Sequence, residues 1–255
     1  MFSFLARPAP DVPVGVCFTD RHDGSSTGSL GSLNLGRTDV DEVTHLRANG
    51  HAVRDALGIS RLVALHQVHG HEVLTVDEDF LSTWTEDSWL GEPHAQALPV
   101  ADAAVTTQPG IGLMTRVADC VPVLLADPVA GVIGGAHAGR VGFDRGVLGA
   151  TVEAMGTLGA TDIRAWIGPH VCGSCYEVPE RMAQEVDARH PGVASTTSWG
   201  TPSLDLGLGC QRQLEALGIA VERADMCTLT EESLHSYRRD GAGAGRQAGI
   251  IWRVS

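Results

Sequence analysis

The chain has 255 residues, with 31 aspartates and glutamates against 18 positively charged residues, a net charge of −13. That balance argues against a nucleic-acid or anionic-membrane surface, which needs a basic face. No lysine occurs in the chain, so every positive side chain is an arginine, and chemistry that needs a lysine amine (a Schiff base, a phosphate-loop lysine, a Ser-Lys dyad) is excluded.

Hydrophobic residues make up 43% and charged residues 19%, the proportions of a globular protein. A chain of this size buries about 70% of its unfolded surface, so its core needs neither disulfides nor a structural metal. No apolar run reaches the roughly 20 residues of a membrane span. The start, Met1 to Pro8, lacks the pattern of a signal peptide. Six cysteines without such a signal read as thiols, and the expected compartment is the cytoplasm.

In chain order, Val12–Phe18 reads as a strand and Gly24–Gly36 as a Gly/Ser loop. Asp41–Leu57 reads as a helix, with Val43, Leu46, Val53 and Leu57 on one side and Gly58 as its stop. Arg61–His66 and Glu72–Val76 read as strands around the insert His66-Gln67-Val68-His69-Gly70-His71. Residues 77–100 carry six acidic side chains and no basic one, which predicts an acidic, solvated loop inserted into the domain. Apolar runs at Ala103–Thr106, Ile111–Met114, Val121–Ala126 and Val132–Gly135 suit buried strands. A helix over Asp144–Leu158, a strand at Ile163–Ile167, helices over Pro179–Arg189 and Leu206–Leu217, and strands at Ile219–Arg223 and Gly249–Arg253 complete the order. Without a repeat or a clear linker, residues 1–255 read as one α/β domain with a mixed sheet.

Reactive side chains concentrate in three segments: Leu65-His66-Gln67-Val68-His69-Gly70, Ala118-Asp119-Cys120-Val121-Pro122-Val123, and Gly134-Gly135-Ala136-His137-Ala138-Gly139. Two imidazoles and a thiolate suit zinc with one open position, where the metal acidifies a bound water. His69, Cys120 and His137 are the candidate set, with His66 and His71 as competitors for the first place. A satisfied core histidine and a small apolar thiol are the alternative reading of the same residues. Cys172-Gly173-Ser174-Cys175 has the spacing of a redox pair but does not open a helix after a strand; as a metal site it needs two more ligands, and His170 is the near candidate. Cys210 and Cys227 read as core or helix-face residues. The tryptophans at 84, 89, 166, 199 and 252 read as packing anchors.

Taken together, the segments LHQVHG, ADCVPV, HAGRVG and GPHVCGSCYEV resemble, in order, the motifs of the YfiH family, also called the polyphenol oxidoreductase or laccase-domain family and regarded as purine nucleoside phosphorylases. RHDGSSTGSLGSLNLG and HSYRRDGAGAGRQAGIIW resemble the family's amino-terminal and carboxy-terminal stretches, so the likeness spans nearly the whole chain. It implies a four-layer α/β arrangement with two mixed sheets and outer helices. It also implies a zinc ion held by His69, Cys120 and His137, with Ser26, Asn34 and Arg21 at further family positions. Three departures stand out: Arg140 replaces a tryptophan, only Cys175 is in register with an adjacent cysteine pair, and Asn49-Gly50 replaces Asn-Arg.

The resemblance implies phosphorolysis of adenosine, inosine or guanosine, deamination of adenosine, and cleavage of methylthioadenosine; the expected partners are a purine nucleoside and phosphate. Asp119 is a candidate acid/base beside Cys120, or else a residue that orients a ligand or caps a turn. With no lysine, phosphate must be bound by arginine, hydroxyl or backbone groups, and Arg21, Ser26, Arg140 and Arg238 are the candidates. Copper chemistry of the multicopper type needs about ten histidines in paired motifs, and only His69-Gly70-His71 has that form. Two other readings stay open: a cysteine hydrolase with Cys120 as nucleophile and His137 as base, acting on an amide such as a peptidoglycan precursor, and a non-catalytic zinc module.

Overall fold

The computed structural model describes residues 1–36, 41–85 and 97–254. Two mixed sheets form its centre. The first has five strands: β1 (Phe2–Ala6), β2 (Val14–Thr19), β13 (Gln247–Arg253), β6 (Ile111–Val117) and β3 (Arg61–Ala64), in that order. The second has six: β12 (Ala220–Arg223), β9 (Arg164–Ile167), β7 (Val121–Asp127), β8 (Val132–Ala138), β5 (Ala103–Thr106) and β4 (Val73–Thr75). In the first, β3 runs parallel to β6 while the other pairs are antiparallel; in the second, the edge pairs β12–β9 and β4–β5 are parallel and the middle is antiparallel. A hairpin of β10 (Ala194–Thr196) and β11 (Pro202–Leu204) lies apart from both.

The alternation along β7 explains the layering. Val121, Val123 and Leu125 join one core, with Leu148 and Met155 of α4 (Val147–Thr157), Val186 of α5 (Glu180–Arg189) and Leu214 of α6 (Leu206–Ala216). Leu124 and Ala126 join the other, with Leu113, Ile250, Ile251 and Trp252 of the first sheet and Leu46, Val53 and Leu57 of α1 (Val43–Leu57). Side chains of successive strand residues point to opposite faces, so a strand apolar on both faces must be covered twice. The mixed α/β class with several sheets and flanking helices therefore matches the sequence expectation.

Most predicted elements occur within a residue or three of their expected ends. The helix expected over Asp144–Leu158 starts three residues late: α3 (Arg140–Asp144) ends at its expected first residue, and Gly146, at φ 84°, precedes α4. That left-handed backbone costs a glycine little and separates the two helices. Elements without a sequence counterpart include β1, the two strands of the β10–β11 hairpin, α3 and α7 (Tyr237–Asp240).

The acidic stretch expected to be a loop opens instead with α2 (Glu78–Thr83), capped by the Asp77 carboxylate, which accepts the Phe80 N–H at 2.8 Å. Trp84 behind it is buried and donates its indole N–H to the Leu62 carbonyl. Residues 86–96 of that stretch, Trp89 included, lie outside the described residues. Trp252 is also buried, whereas Trp199 is half exposed and donates to Glu177. Among the described residues, no helix is long and apolar enough to cross a membrane.

Candidate metal centre and its cavity

The three predicted ligands come together at one end of the sheets. His137 is near the end of β8, Cys120 immediately precedes β7, and His69 lies in the turn between β3 and β4. Their ligating atoms all lie within 4.8 Å of one another, with Cys120 Sγ 3.6 Å from His69 Nε2. The imidazoles of His69 and His137 meet edge to face, with centroids 4.9 Å apart. His66 lines the adjoining cavity, and His71 is exposed beside Glu72; neither belongs to the cluster.

Asp102, which the sequence reading did not select, assembles this group. It is buried just before β5, and its Oδ1 lies 2.8 Å from His137 Nδ1. The same carboxylate accepts the backbone N–H groups of Val68, His69 and Gly70 at 3.1, 2.9 and 2.6 Å. Three successive amides converging on one anion impose a tight turn, and His69 adopts φ 60° within it. Burial opposes ionisation of Asp102, but the bonds from His137, Gly70 and Val68 hold its pKa below the usual carboxylate value. Sequence gives one trace of this role, an isolated acid beginning the apolar run Asp102-Ala103-Ala104-Val105.

With Nδ1 committed to Asp102, His137 has Nε2 for Cys120 and for a metal, the usual arrangement of a ligating histidine. Burial alone raises the Cys120 thiol, but the charge of His137 and hydrogen bonds from His137 and His69 bring it down to about 6. Burial likewise lowers His137, and the Cys120 charge with the Asp102 bond raises it to about 9. Each charge thus favours the other: His137 draws Cys120 toward thiolate, and Cys120 with Asp102 draws His137 toward imidazolium. Gly139 closes it: a Cβ there would stand 2.5 Å from His69 Cδ2 and 3.2 Å from Cys120 Sγ.

The donor set fits zinc. Zinc–nitrogen and zinc–sulfur bonds of about 2.0 and about 2.3 Å at a tetrahedral angle place nitrogen and sulfur about 3.5 Å apart, which the His69–Cys120 separation matches. Among the described residues, the only other potential ligand group of this kind consists of three cysteines. Nothing described there resembles a cluster of paired histidines for several coppers.

Beside the ligands opens a cavity of about 680 Å³. His69, Cys120 and His137 line it together with Arg116, Arg238 and Arg246, and Tyr176 and Tyr237 complete much of its wall. Arg238 is the one predicted arginine found in this lining; Arg116 and Arg246 had not been selected. Its guanidinium stacks over the Tyr176 ring at 4.8 Å and donates to the Glu177 carbonyl. Burial raises the Tyr176 phenol, the Cys120 charge adds to the rise, and Arg238 and Arg140 oppose it. Arg140 begins α3.

Asp119 also lines the cavity, at φ 91°. Its Oδ1 accepts the Thr228 hydroxyl at 2.6 Å and its Oδ2 the Arg238 backbone N–H at 2.7 Å. Ser26 and Asn34 lie outside the lining. The Ser26 hydroxyl donates to Asp41 and accepts from Asn49, and Asn34 bonds to Asp41, Gly36 and the backbone N–H of Arg246. Asn34 thus fixes two residues, Gly36 and Arg246, that do line it. Arg21 is likewise outside the lining, with its guanidinium donating to the Ser29 carbonyl.

The comparisons with known proteins agree with this architecture. The chain is 46% identical over 240 residues to a purine nucleoside phosphorylase of Streptomyces griseus, covering 92% of each sequence. It is 40% identical over 245 residues to a purine nucleoside phosphorylase of Corynebacterium glutamicum, covering 94% of each. Among solved structures, YlmD from Geobacillus stearothermophilus superposes with a TM-score of 0.84 at 30% identity, covering 100% of this chain and 99% of that one. The Bacillus licheniformis protein YfiH superposes at 0.83 and 27% identity over the whole of both chains. The sequence pattern described as multi-copper polyphenol oxidoreductase laccase matches residues 15–254, and the chain belongs to that family, the one that contains YfiH.

Proposed function

We propose that the protein is a zinc-dependent purine nucleoside phosphorylase that also deaminates adenosine, with adenosine, inosine and guanosine as substrates. One observation carries this reading: a single cavity joins the His69–Cys120–His137 group to three arginines, Arg116, Arg238 and Arg246. The names of the relatives point the same way. Its volume lies within the range typical of small-molecule sites.

In phosphorolysis a phosphate oxygen bonds to C1′ as the C1′–N9 bond breaks. The electron pair leaves with the purine, which takes up a proton, and ribose 1-phosphate is the other product. The three arginines hold the phosphate dianion and bring it to bear on C1′, since planar guanidinium groups match phosphate oxygens two at a time. Tyr176 and Tyr237 offer aromatic faces to the nucleoside. His69, Cys120 and His137 hold the zinc, which when bound supplies Lewis-acid chemistry to the purine ring or to a water. Asp119 has both carboxylate oxygens bonded, which supports a positioning role: it fixes the backbone of Arg238 and does not carry the proton.

The test is inosine cleavage with and without phosphate on a protein of measured metal content. Release of hypoxanthine should rise with phosphate, ribose 1-phosphate should accumulate, and Cys120→Ala should lose turnover together with the metal held at His69, Cys120 and His137. Hypoxanthine released equally fast without phosphate would make the reaction a hydrolysis.

A second reading rests on the thiolate–imidazolium pair itself. Cys120, His137 and Asp102 are ordered like a cysteine-hydrolase triad acting on an amide. Metal content separates the readings: the hydrolase works without zinc and is silenced by iodoacetamide in its metal-free form. A non-catalytic zinc module is disfavoured by the open cavity beside the ligands.

A further inference from the structure

We infer that Cys172, Cys175 and Cys227 form a second metal site, for a thiophilic cation of the zinc class, independent of the cluster at His69. Their sulfurs all lie within 4.8 Å of one another. The sequence points to His170 as a near ligand and to Cys227 as a core or helix-face residue. Instead His170 turns its Nδ1 to the Gly168 carbonyl, and Cys227 is partly exposed beside Cys172.

The local backbone explains the convergence. The N–H groups of Cys175 and Tyr176 both donate to the Cys172 carbonyl at 2.9 Å, and this tight turn brings the two cysteines of the C-x-x-C to one side, the usual half of a zinc site. Cys227 arrives from the segment after β12. That segment is held in place by the His170 N–H on the Met226 carbonyl at 3.2 Å and the Thr228 N–H on the His170 carbonyl at 3.0 Å. The Cys172 N–H then points at Cys227 Sγ, 3.4 Å away, a donor suited to a ligating thiolate.

Three converging sulfurs favour a metal over a disulfide. A disulfide joins two of them at about 2.05 Å and leaves the third without a role. Zinc–sulfur bonds of about 2.3 Å at a tetrahedral angle need sulfurs about 3.8 Å apart, so small rotations of the side chains close the site. Each ligating thiol gives its proton to solvent on binding. The fourth position has an outlet, because Cys175 lines a separate cavity of about 410 Å³ with Leu229 and Trp199. A metal here would tie the turn before Tyr176, which lines the main cavity, to the segment carrying Thr228, which holds Asp119.

The experiment uses the full chain with Cys120→Ala, which removes a ligand of the first cluster and leaves this one intact. After chelation, reloading with zinc chloride and desalting, Cys120→Ala should retain one zinc ion per chain. Adding Cys227→Ser or, separately, Cys172→Ser to that background should abolish retention while circular dichroism stays native. Cobalt in place of zinc should give intense sulfur-to-cobalt charge-transfer absorption that either serine variant removes. The inference is overturned if folded Cys120→Ala retains no zinc, if retention survives both serine variants, or if the unreduced protein is lighter by two hydrogens because a disulfide joins two of these sulfurs.

Discussion

Asp102 Oδ1 lies 2.8 Å from His137 Nδ1, and the same carboxylate accepts three consecutive amides of the turn that carries His69. One buried anion therefore sets the orientation of one ligand and the backbone of another. Asp102→Asn should expose the dependence. An amide presents one acceptor oxygen where four donors converge, so its NH₂ faces N–H groups. The expected cost is about 3 kcal/mol of stability, with a metal affinity lower by roughly 10- to 100-fold. Urea titration and competition with a chelator measure the two separately.

Gly139 tests the packing of the centre without altering a ligand. In Gly139→Ala the new Cβ meets His69 Cδ2 at 2.5 Å, and a ring held by the Asp102 turn has little room to yield. The variant should fold, lose about 1–3 kcal/mol to overpacking, and bind zinc far more weakly than the parent. Unchanged zinc affinity would show that His69 shifts freely or is not a ligand.

Cys120 and His137 give a pH signature in the metal-free protein. The thiol is lowered to about 6 and the imidazole raised to about 9, so between those values the pair carries one proton, on His137. Iodoacetamide, which reacts with thiolate, should modify Cys120 with a rate that rises through about pH 6, not through the usual thiol range. Zinc needs both ligands deprotonated, so binding in this window should release about one proton. Calorimetry on the Cys172→Ser variant, in which zinc binds at this centre, reads that number in buffers of different ionisation enthalpy.

The arginines are tested through phosphate. Arg246 donates to the carbonyls of Ala244 and Gly245, and burial lowers its guanidinium pKa against the opposing charges of Cys120 and Asp119. Arg246→Gln should raise the KM for phosphate by roughly 10-fold or more, the worth of a charge-assisted bond or two. Zinc content should stay unchanged. An unaltered phosphate KM would assign the anion to Arg116 and Arg238 alone.

His235 contributes to acid sensitivity from outside the site. It is fully buried, its Nε2 lies 3.0 Å from the Leu33 carbonyl, and burial lowers its pKa to about 4 despite that bond. The folded state stays neutral until about pH 4, while the unfolded chain protonates this residue near 6.5. Between those values the unfolded state binds more protons, so stability is full above about 6.5 and falls as pH drops toward 4. The loss should approach about 3 kcal/mol, and His235→Gln should flatten the pH dependence of urea midpoints in this window.

The order of strands and helices and the break at Gly58 were legible in the chain, because they depend on local periodicity; that His69, Cys120 and His137 form a group was legible as a candidate only through the ordered motifs that resemble a known family. Asp102, Arg116 and Arg246 were not. Each carries its role only because β5, β6 and β13 bring it to one end of two packed sheets, and a lone polar residue in an apolar run looks the same whether it faces a metal ligand or water. The choice of His69 over His66 and His71 was likewise tertiary: three amides closing on a carboxylate more than thirty residues away decide which imidazole turns inward. Composition determined that no lysine can meet an anion here, which leaves arginine, hydroxyl and backbone groups. Only the folding of distant segments onto one another decided which arginines stand beside the thiolate.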